Sequence, residues 1–228
     1  MALIALWPSI SFAEDNLIVY PISVGKVTAQ TSEAQLEQIY GKANVRREIR
    51  PWGDAGYSCA TILFSDSEKE LEIFWKDESF DYSASGSAEE LKKCETSPVA
   101  RRVPSAVQIS GGGEPPKKGS YWKTKSGVHV GMSLFELEKL NGAPINFESS
   151  SSCFDGGILD WHGGKLEKEK ETFSYSRISY PLDGTESFKQ LKSSSISSKD
   201  LPQSLKKQIY LGGIEFSLPA EEKEESAN

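Results

Sequence analysis

Two histidines, three cysteines and two alternating acidic triplets are the side chains of this sequence whose types are suited to chemistry. Nucleophilic catalysis needs a Ser, Thr or Cys within hydrogen-bond reach of a base. Serine is plentiful, but much of it falls in runs such as 149–152, which is loop composition, and no G-x-S-x-G occurs. His129 precedes a helical pattern, on a strand or turn. His162 stands in Asp160-Trp161-His162-Gly163-Gly164, with Asp155 a few residues upstream. An acid–base pair of His162 with Asp155 or Asp160 is the chemistry this cluster offers, and it implies a hydrolase. The spacing matches no standard metal-ligand pattern, and a hairpin-turn histidine accounts for it equally. Gly111-Gly112-Gly113 lacks the Lys-Ser/Thr and the helix of a phosphate loop, so it reads as a turn. Glu68, Glu70 and Glu72 would line one face of a strand, as would Glu167, Glu169 and Glu171; lysines interleave the second triplet, which reads as solvated. No catalytic set, metal set or cofactor motif is expected.

Aromatic residues are better candidates for binding. Trp52 sits in a Gly/Pro-rich loop with Arg50 beside it and Tyr57 just after. Trp122 adjoins Tyr121 after a second Gly/Pro-rich stretch. An exposed Trp or Tyr near an Arg is the composition of an interaction hot spot; the competing reading is an aromatic folded back over a small core. The expected binding residues are Trp52, Tyr57, Tyr121, Trp122 and His162. Trp75 and Trp161 fall in strand patterns and are assigned to the core.

Composition limits the partners. The 228 residues carry 26 Lys+Arg against 33 Asp+Glu, and 37% are hydrophobic. An acidic balance argues against a nucleic-acid partner, which calls for a basic face. No apolar run reaches the eighteen or so residues of a transmembrane helix. The charge is uneven, at −6 over 14–116, +2 over 117–219 and −3 over the tail. Residues 1–13 carry no charge and end in Ser11-Phe12-Ala13, the small-x-small pattern of a secretory cleavage site. They are expected to be a signal-peptide remnant, although no basic residue precedes the apolar stretch. No lipoprotein cysteine follows it. Export would put the chain where disulfides persist. Cys59, Cys94 and Cys153 allow three pairings. A Cys59–Cys94 bridge would staple a strand to a helix, worth about 3–4 kcal/mol in the chain-entropy model; three separate thiols are the alternative. No C-x-x-C occurs.

The elements that position these residues repeat. Sliding the sequence by 101 superposes Ser32 on Ser133, Leu36 on Leu137, Glu37 on Glu138 and Gly41 on Gly142. Each serine starts an S-x-x-Q/E capping box, with Gln35 and Glu136 as partners. Each glycine is placed to end its helix in the left-handed conformation. Both helices are about two turns long. Residues 58–65 and 69–76 read as a hairpin after the first helix. After the second, 157–162, 172–180 and 210–218 read as strands, 165–171 as a solvated tip or edge, 193–198 as a loop and 199–208 as a short helix. Residues 103–109 and 120–124 are candidates to pair across the Gly/Pro-rich stretch 110–119. The expected fold is α+β, two tandem repeats of short helices packed on antiparallel sheet. Its parts are a leader (1–13), repeat one (14–119), repeat two (120–219) and a disordered acidic tail (220–228).

Val128-His129-Val130-Gly131-Met132-Ser133, Leu137 and Asn141-Gly142-Ala143-Pro144 together resemble the signature of the SmpA/OmlA and beta-lactamase-inhibitor-protein-like superfamily. Its domains are small helix–helix–three-strand units, single in outer-membrane assembly lipoproteins and tandem in the inhibitor protein. Repeat one departs from the signature, with Gln30-Thr31 in place of Gly131-Met132. The resemblance implies export and protein binding, and names no target. The function expected is a non-catalytic, periplasmic or secreted protein that recognises a protein or envelope component through its sheet face. The other readings are the hydrolase above and a structural envelope protein.

Overall fold

The computed structural model of the chain describes residues 15–52, 56–76, 78, 81–98, 100–110, 119–148, 156–172, 175–179 and 194–218. The expected leader, Cys153, Asp155 and the tail lie outside the described residues. The fold is α+β. Short strands β1 (Leu17–Val19), β2 (Ser23–Val24) and β3 (Val27–Thr28) lead into α1 (Glu33–Tyr40). A 3-10 turn (Lys42–Asn44) opens β4 (Val45–Pro51), followed by β5 (Tyr57–Leu63), β6 (Leu71–Trp75), α2 (Ala88–Thr96) and β7 (Pro104–Ser110). The second half holds β8 (Lys123–Thr124), α3 (Leu134–Asn141), β9 (Asn146–Glu148), β10 (Ile158–Asp160), β11 (Tyr175–Ser179), β12 (Ser195–Ser197), α4 (Gln203–Lys206) and β13 (Tyr210–Ser217). No helix among the described residues is long and apolar enough to cross a membrane.

Six strands form the main sheet in the order β11-β13-β7-β6-β5-β4, every neighbouring pair antiparallel. Alternation sorts the side chains onto two faces. Leu63, Leu71, Ile73, Trp75, Val107, Ile109, Ile214 and Phe216 turn to the core, where they are buried with Leu36, Leu134 and Leu137 of the helices. The opposite face carries Ala60, Ile62 and Phe74, a separate buried cluster under Trp52.

Local chemistry starts the helices. Ser32, Ser87 and Ser133 each cap a helix in a complete capping box, with Gln35, Glu90 and Glu136 reaching back to the cap N–H. Four bonds from Ser83 and Ser87 lower the Glu90 carboxyl to about 2. Gly142 ends α3 in the left-handed conformation. Gly41 has positive φ but an extended ψ of 137°, because the chain enters the 3-10 turn there.

The two halves do not build separate sheets. β11 and β13 extend the sheet begun by β4–β7, and β1 pairs in parallel with β8. The strands after the two helices also differ. β4, β5 and β6 are consecutive neighbours, whereas β9 pairs with β10 and β12 in a small sheet of its own. Residues 103–109 and 120–124 do not pair with each other: β7 lies between β6 and β13, and β8 lies on β1. Lys165–Thr172 is a 3-10 helix, not a strand tip, because Leu166 is buried and its N–H donates to Asn141 Oδ1 (3.0 Å). Within 193–198, Ser195–Ser197 is a strand on β9.

Under β4–β6 lies a buried charge cluster. Arg47 donates from Nε and Nη2 to the Glu33 carboxylate (2.6 Å at the shortest) and from Nη1 to the carbonyls of Glu95 (3.4 Å) and Ser97 (2.8 Å), at the end of α2. The Glu33 bond raises the guanidinium pKa against the cost of burial. Thr61 donates to Glu33 Oε1 (2.6 Å) and accepts from Trp75 Nε1 (2.9 Å). The wholly buried Arg101 side chain lies 2.7 Å from Glu78 Oε2 and donates to Cys59 Sγ (3.0 Å). Cys59 and Cys94 are disulfide-bonded, with Cα atoms 5.4 Å apart. Removing one partner of a buried pair strands the other charge. Arg101→Met is therefore expected to cost about 3–5 kcal/mol in urea unfolding. Arg101→Met with Glu78→Leu should regain most of that loss; a double variant no more stable than the single would show that the pairing is not what matters.

Candidate functional site

β4 reads Val-Arg-Arg-Glu-Ile-Arg-Pro, and alternation divides it. Arg46, Glu48 and Arg50 lie on the broad face, while Val45, Arg47 and Ile49 turn toward the helices. β4 also ends the sheet order, so one side of its backbone has no neighbouring strand among the described residues. Antiparallel partners alternate between pairs that exchange hydrogen bonds and pairs that do not. Phe64 N–H donates to Asn44 O (2.9 Å) and Trp52 N–H to Gly56 O (2.8 Å), which fixes the phase. Arg46, Glu48 and Arg50 therefore bond to β5, and Val45, Arg47 and Ile49 aim their N–H and C=O groups outward. Val45 N–H is taken by Lys42 O. Among the described residues no hydrogen bond reaches the outward main-chain groups of Arg47 or Ile49.

A groove of about 790 Å³ follows this edge. All of 45–49 line it, with Glu33 and Glu37 of α1 on one side and Leu91 and Glu95 of α2 on another. Arg47 fixes the walls, since its guanidinium holds both the start of α1 and the end of α2. At one end a methyl group on Gly86 would meet Ile49 Cδ1 (3.4 Å) and Leu91 Cδ2 (3.6 Å), so those two side chains share a corner. Leu91 is 44% exposed there.

The broad face is occupied by its own contacts. Arg50 Nη2 reaches Glu48 (2.8 Å) and Glu70 (3.3 Å), and Arg46 pairs with Glu48 and with Asp66 (3.2 Å). Trp52 is half-buried on Phe74, ring centroids 4.2 Å apart. Glu72 is buried in the middle of this face, and burial lifts its carboxyl to about 7 against the pull of Arg50.

The expected binding residues do not gather. Trp122 is a core residue, 1% exposed. Its Nε1 donates to Lys69 O (2.9 Å), and its ring packs so close to Gly25 that a Cβ there would lie 2.8 Å from Cζ3. It is thus excluded as an exposed anchor. Tyr121 is half-buried edge-on to Trp122, with Lys69 Nζ 4.8 Å over its ring. Trp52 and Tyr57 lie on opposite faces of the sheet: Tyr57 packs with Cys59, Cys94 and Tyr82. His162 is on an exposed turn at φ 49°; its N–H donates to Asp160 Oδ1 (2.8 Å), and its Nδ1 lies 3.6 Å from Asp160 Oδ2. Among the described residues no hydroxyl or thiol bonds to that ring, so no nucleophile is set against it. His129 Nδ1 contacts Gly127 O (2.9 Å). No group of three possible metal ligands is gathered among the described residues.

The groove residues Arg47, Ile49, Leu91, Glu37 and Glu95 had one legible signal, the alternating run 45–50 closed by Pro51. Comparison of the chain with protein-family models, with curated proteins and with solved structures finds no match.

Glu72 gives a pH test. A carboxyl raised on folding from 4.5 to about 7 stabilises the fold fully below the lower value, and that contribution fades as pH rises through the upper one. Glu72→Gln is expected to leave urea stability at acid pH nearly unchanged and to add about 3 kcal/mol at alkaline pH. Parallel pH–stability curves for the two proteins would show that Glu72 does not titrate this way.

Proposed function

We propose that this chain is a non-catalytic, exported binding protein that accepts an extended segment of a protein partner as an added strand on β4. One observation carries the reading: a seven-residue edge strand, in unbroken register with β5, turns free main-chain groups into a groove. Exposed edges of this length are normally blunted, because they template pairing. The other sheet edges among the described residues are blunted. β11 has a register shift at Arg177/Ile178, and β3, β8, β10 and β12 are two or three residues long. Strand addition takes its affinity from main-chain bonds and its specificity from alternate side chains. The broad face is the weaker candidate, since its apolar residues are buried and its arginines paired. The Cys59–Cys94 disulfide supports export.

Ile49→Pro separates the two surfaces. Its N–H faces outward, so proline removes no main-chain bond to β5 while it blocks an incoming strand and trims the apolar corner. On an array of unstructured decapeptides, the native protein is expected to capture a subset. Ile49→Pro should lose that subset, and Trp52→Ala should keep it. Retention by Ile49→Pro with loss by Trp52→Ala would move the site to the broad face. Recovery of the protein from the cytoplasm alone would remove export.

A further inference from the structure

We infer that the strand accepted by β4 carries an apolar side chain and, two and four residues along the same face, basic ones: apolar-x-basic-x-basic. This rests on the strand-accepting reading and adds the chemistry of the partner. The groove is graded along its length. Its first corner is apolar, built by Ile49 and Leu91. Glu95 follows Leu91 by four residues on α2, hence on the same helix face. Four helical residues advance about 6 Å, and two strand residues advance about 6.8 Å. An added strand with an apolar side chain over Leu91 therefore brings its second-next side chain to Glu95.

The gradient continues onto α1. Arg47, opposite the end of α2, bonds Glu33, and Glu37 lies one turn further along α1. That helix ends beside the start of β4, where Asn44 Nδ2 donates to Tyr40 O (2.8 Å). Both helices thus run against β4, and the order along the edge is Leu91, then Glu95, then Glu37.

The available charge is acidic. Arg47 is committed to Glu33 and to the carbonyls ending α2, and Arg46 to Glu48 and Asp66. Among the described residues no ion pair engages the side chains of Glu37, Glu95 or Lys42. Two carboxylates against one ammonium favour a basic segment over an acidic one. Lys42 sits in the turn before β4, beyond the last pairing position.

The test uses the full chain and three acetylated decapeptides that share a backbone pattern. One carries leucine with lysines two and four places on, one carries glutamates in place of those lysines, and one carries alanines. Fluorescence anisotropy is read in low and high salt. The lysine peptide is expected to bind about tenfold tighter than the alanine peptide, the size that two exposed charge pairs supply, and high salt should erase the difference. Glu37→Lys with Glu95→Lys should turn the preference toward the glutamate peptide; neither carboxylate holds a structural bond, so the fold should survive. Equal binding of all three peptides, lost in Ile49→Pro, would overturn the basic motif and leave strand addition standing. A preference for lysine that survives Glu37→Lys with Glu95→Lys would overturn it as well. No binding by any of the three, or by any arrayed peptide, would remove both proposals.

Discussion

Two ion pairs hold this structure in its working shape. Arg101 and Glu78 are buried together, and the half-buried Arg47 meets Glu33 nearer the rim. Their desolvation is costly, and hydrophobic groups of equal volume would often serve stability as well. What the charges provide is geometry. Arg47 has donors along two edges of its planar guanidinium, one set for a carboxylate on α1 and one for carbonyls that end α2. A leucine there would fill the volume without fixing the angle between the two helices. The carbonyls at the end of α2 gain a cation where the helix dipole favours one. Thr61 and Trp75 satisfy a remaining Glu33 oxygen and tie the cluster to β5 and β6. The disulfide adds a covalent strut between β5 and α2 beside Arg101.

The halves of the chain need each other. The first half alone would leave β7 as an edge; β13 covers it and β11 covers β13. At the other end, residues 121–123 are threaded between the turn at Glu68-Lys69 and Asn16, with Tyr121 N–H donating to Glu68 O (2.8 Å) and Lys123 N–H to Asn16 O (3.0 Å). Trp122 is the plug of that junction. The internal match at an offset of 101 residues therefore marks two similar helix starts within a shared core, whose strands are arranged differently on each side.

How much could be read beforehand follows from the range of the interactions involved. The capping boxes at Ser32 and Ser133 are set by residues three apart, so they were legible. So was the hairpin of β5 and β6, whose alternation is local. Ser87-Ala88-Glu89-Glu90 carries the same capping pattern and needed no more information than the other two. Trp122 was misplaced because its environment comes from Gly25 and Lys69, which are remote in sequence. The 3-10 helix at Lys165 depends on Asn141. The groove was hidden for the same reason. Arginine at 47 looks like any charged surface residue until Glu33 and Ser97 are brought to it, and no local pattern says which strand of a sheet will stand last.

An edge strand left open must still avoid its own copies. Pro51 sits opposite Tyr57 in register, at a position whose amide would face outward, so the ladder cannot extend past that end. On the broad-face row β4 presents Arg46, Glu48 and Arg50, which places like charges opposite when two copies pair antiparallel about Glu48. Centring the pair on Arg47 instead sets Arg46 opposite Glu48, but it brings Arg47, already bonded to Glu33, opposite itself. Strand addition between copies is thus disfavoured by charge in the register centred on Glu48, while a foreign strand with a different charge order meets no such barrier. The charges of β4 leave the main chain open and restrict what pairs with it, which is the combination a selective edge requires.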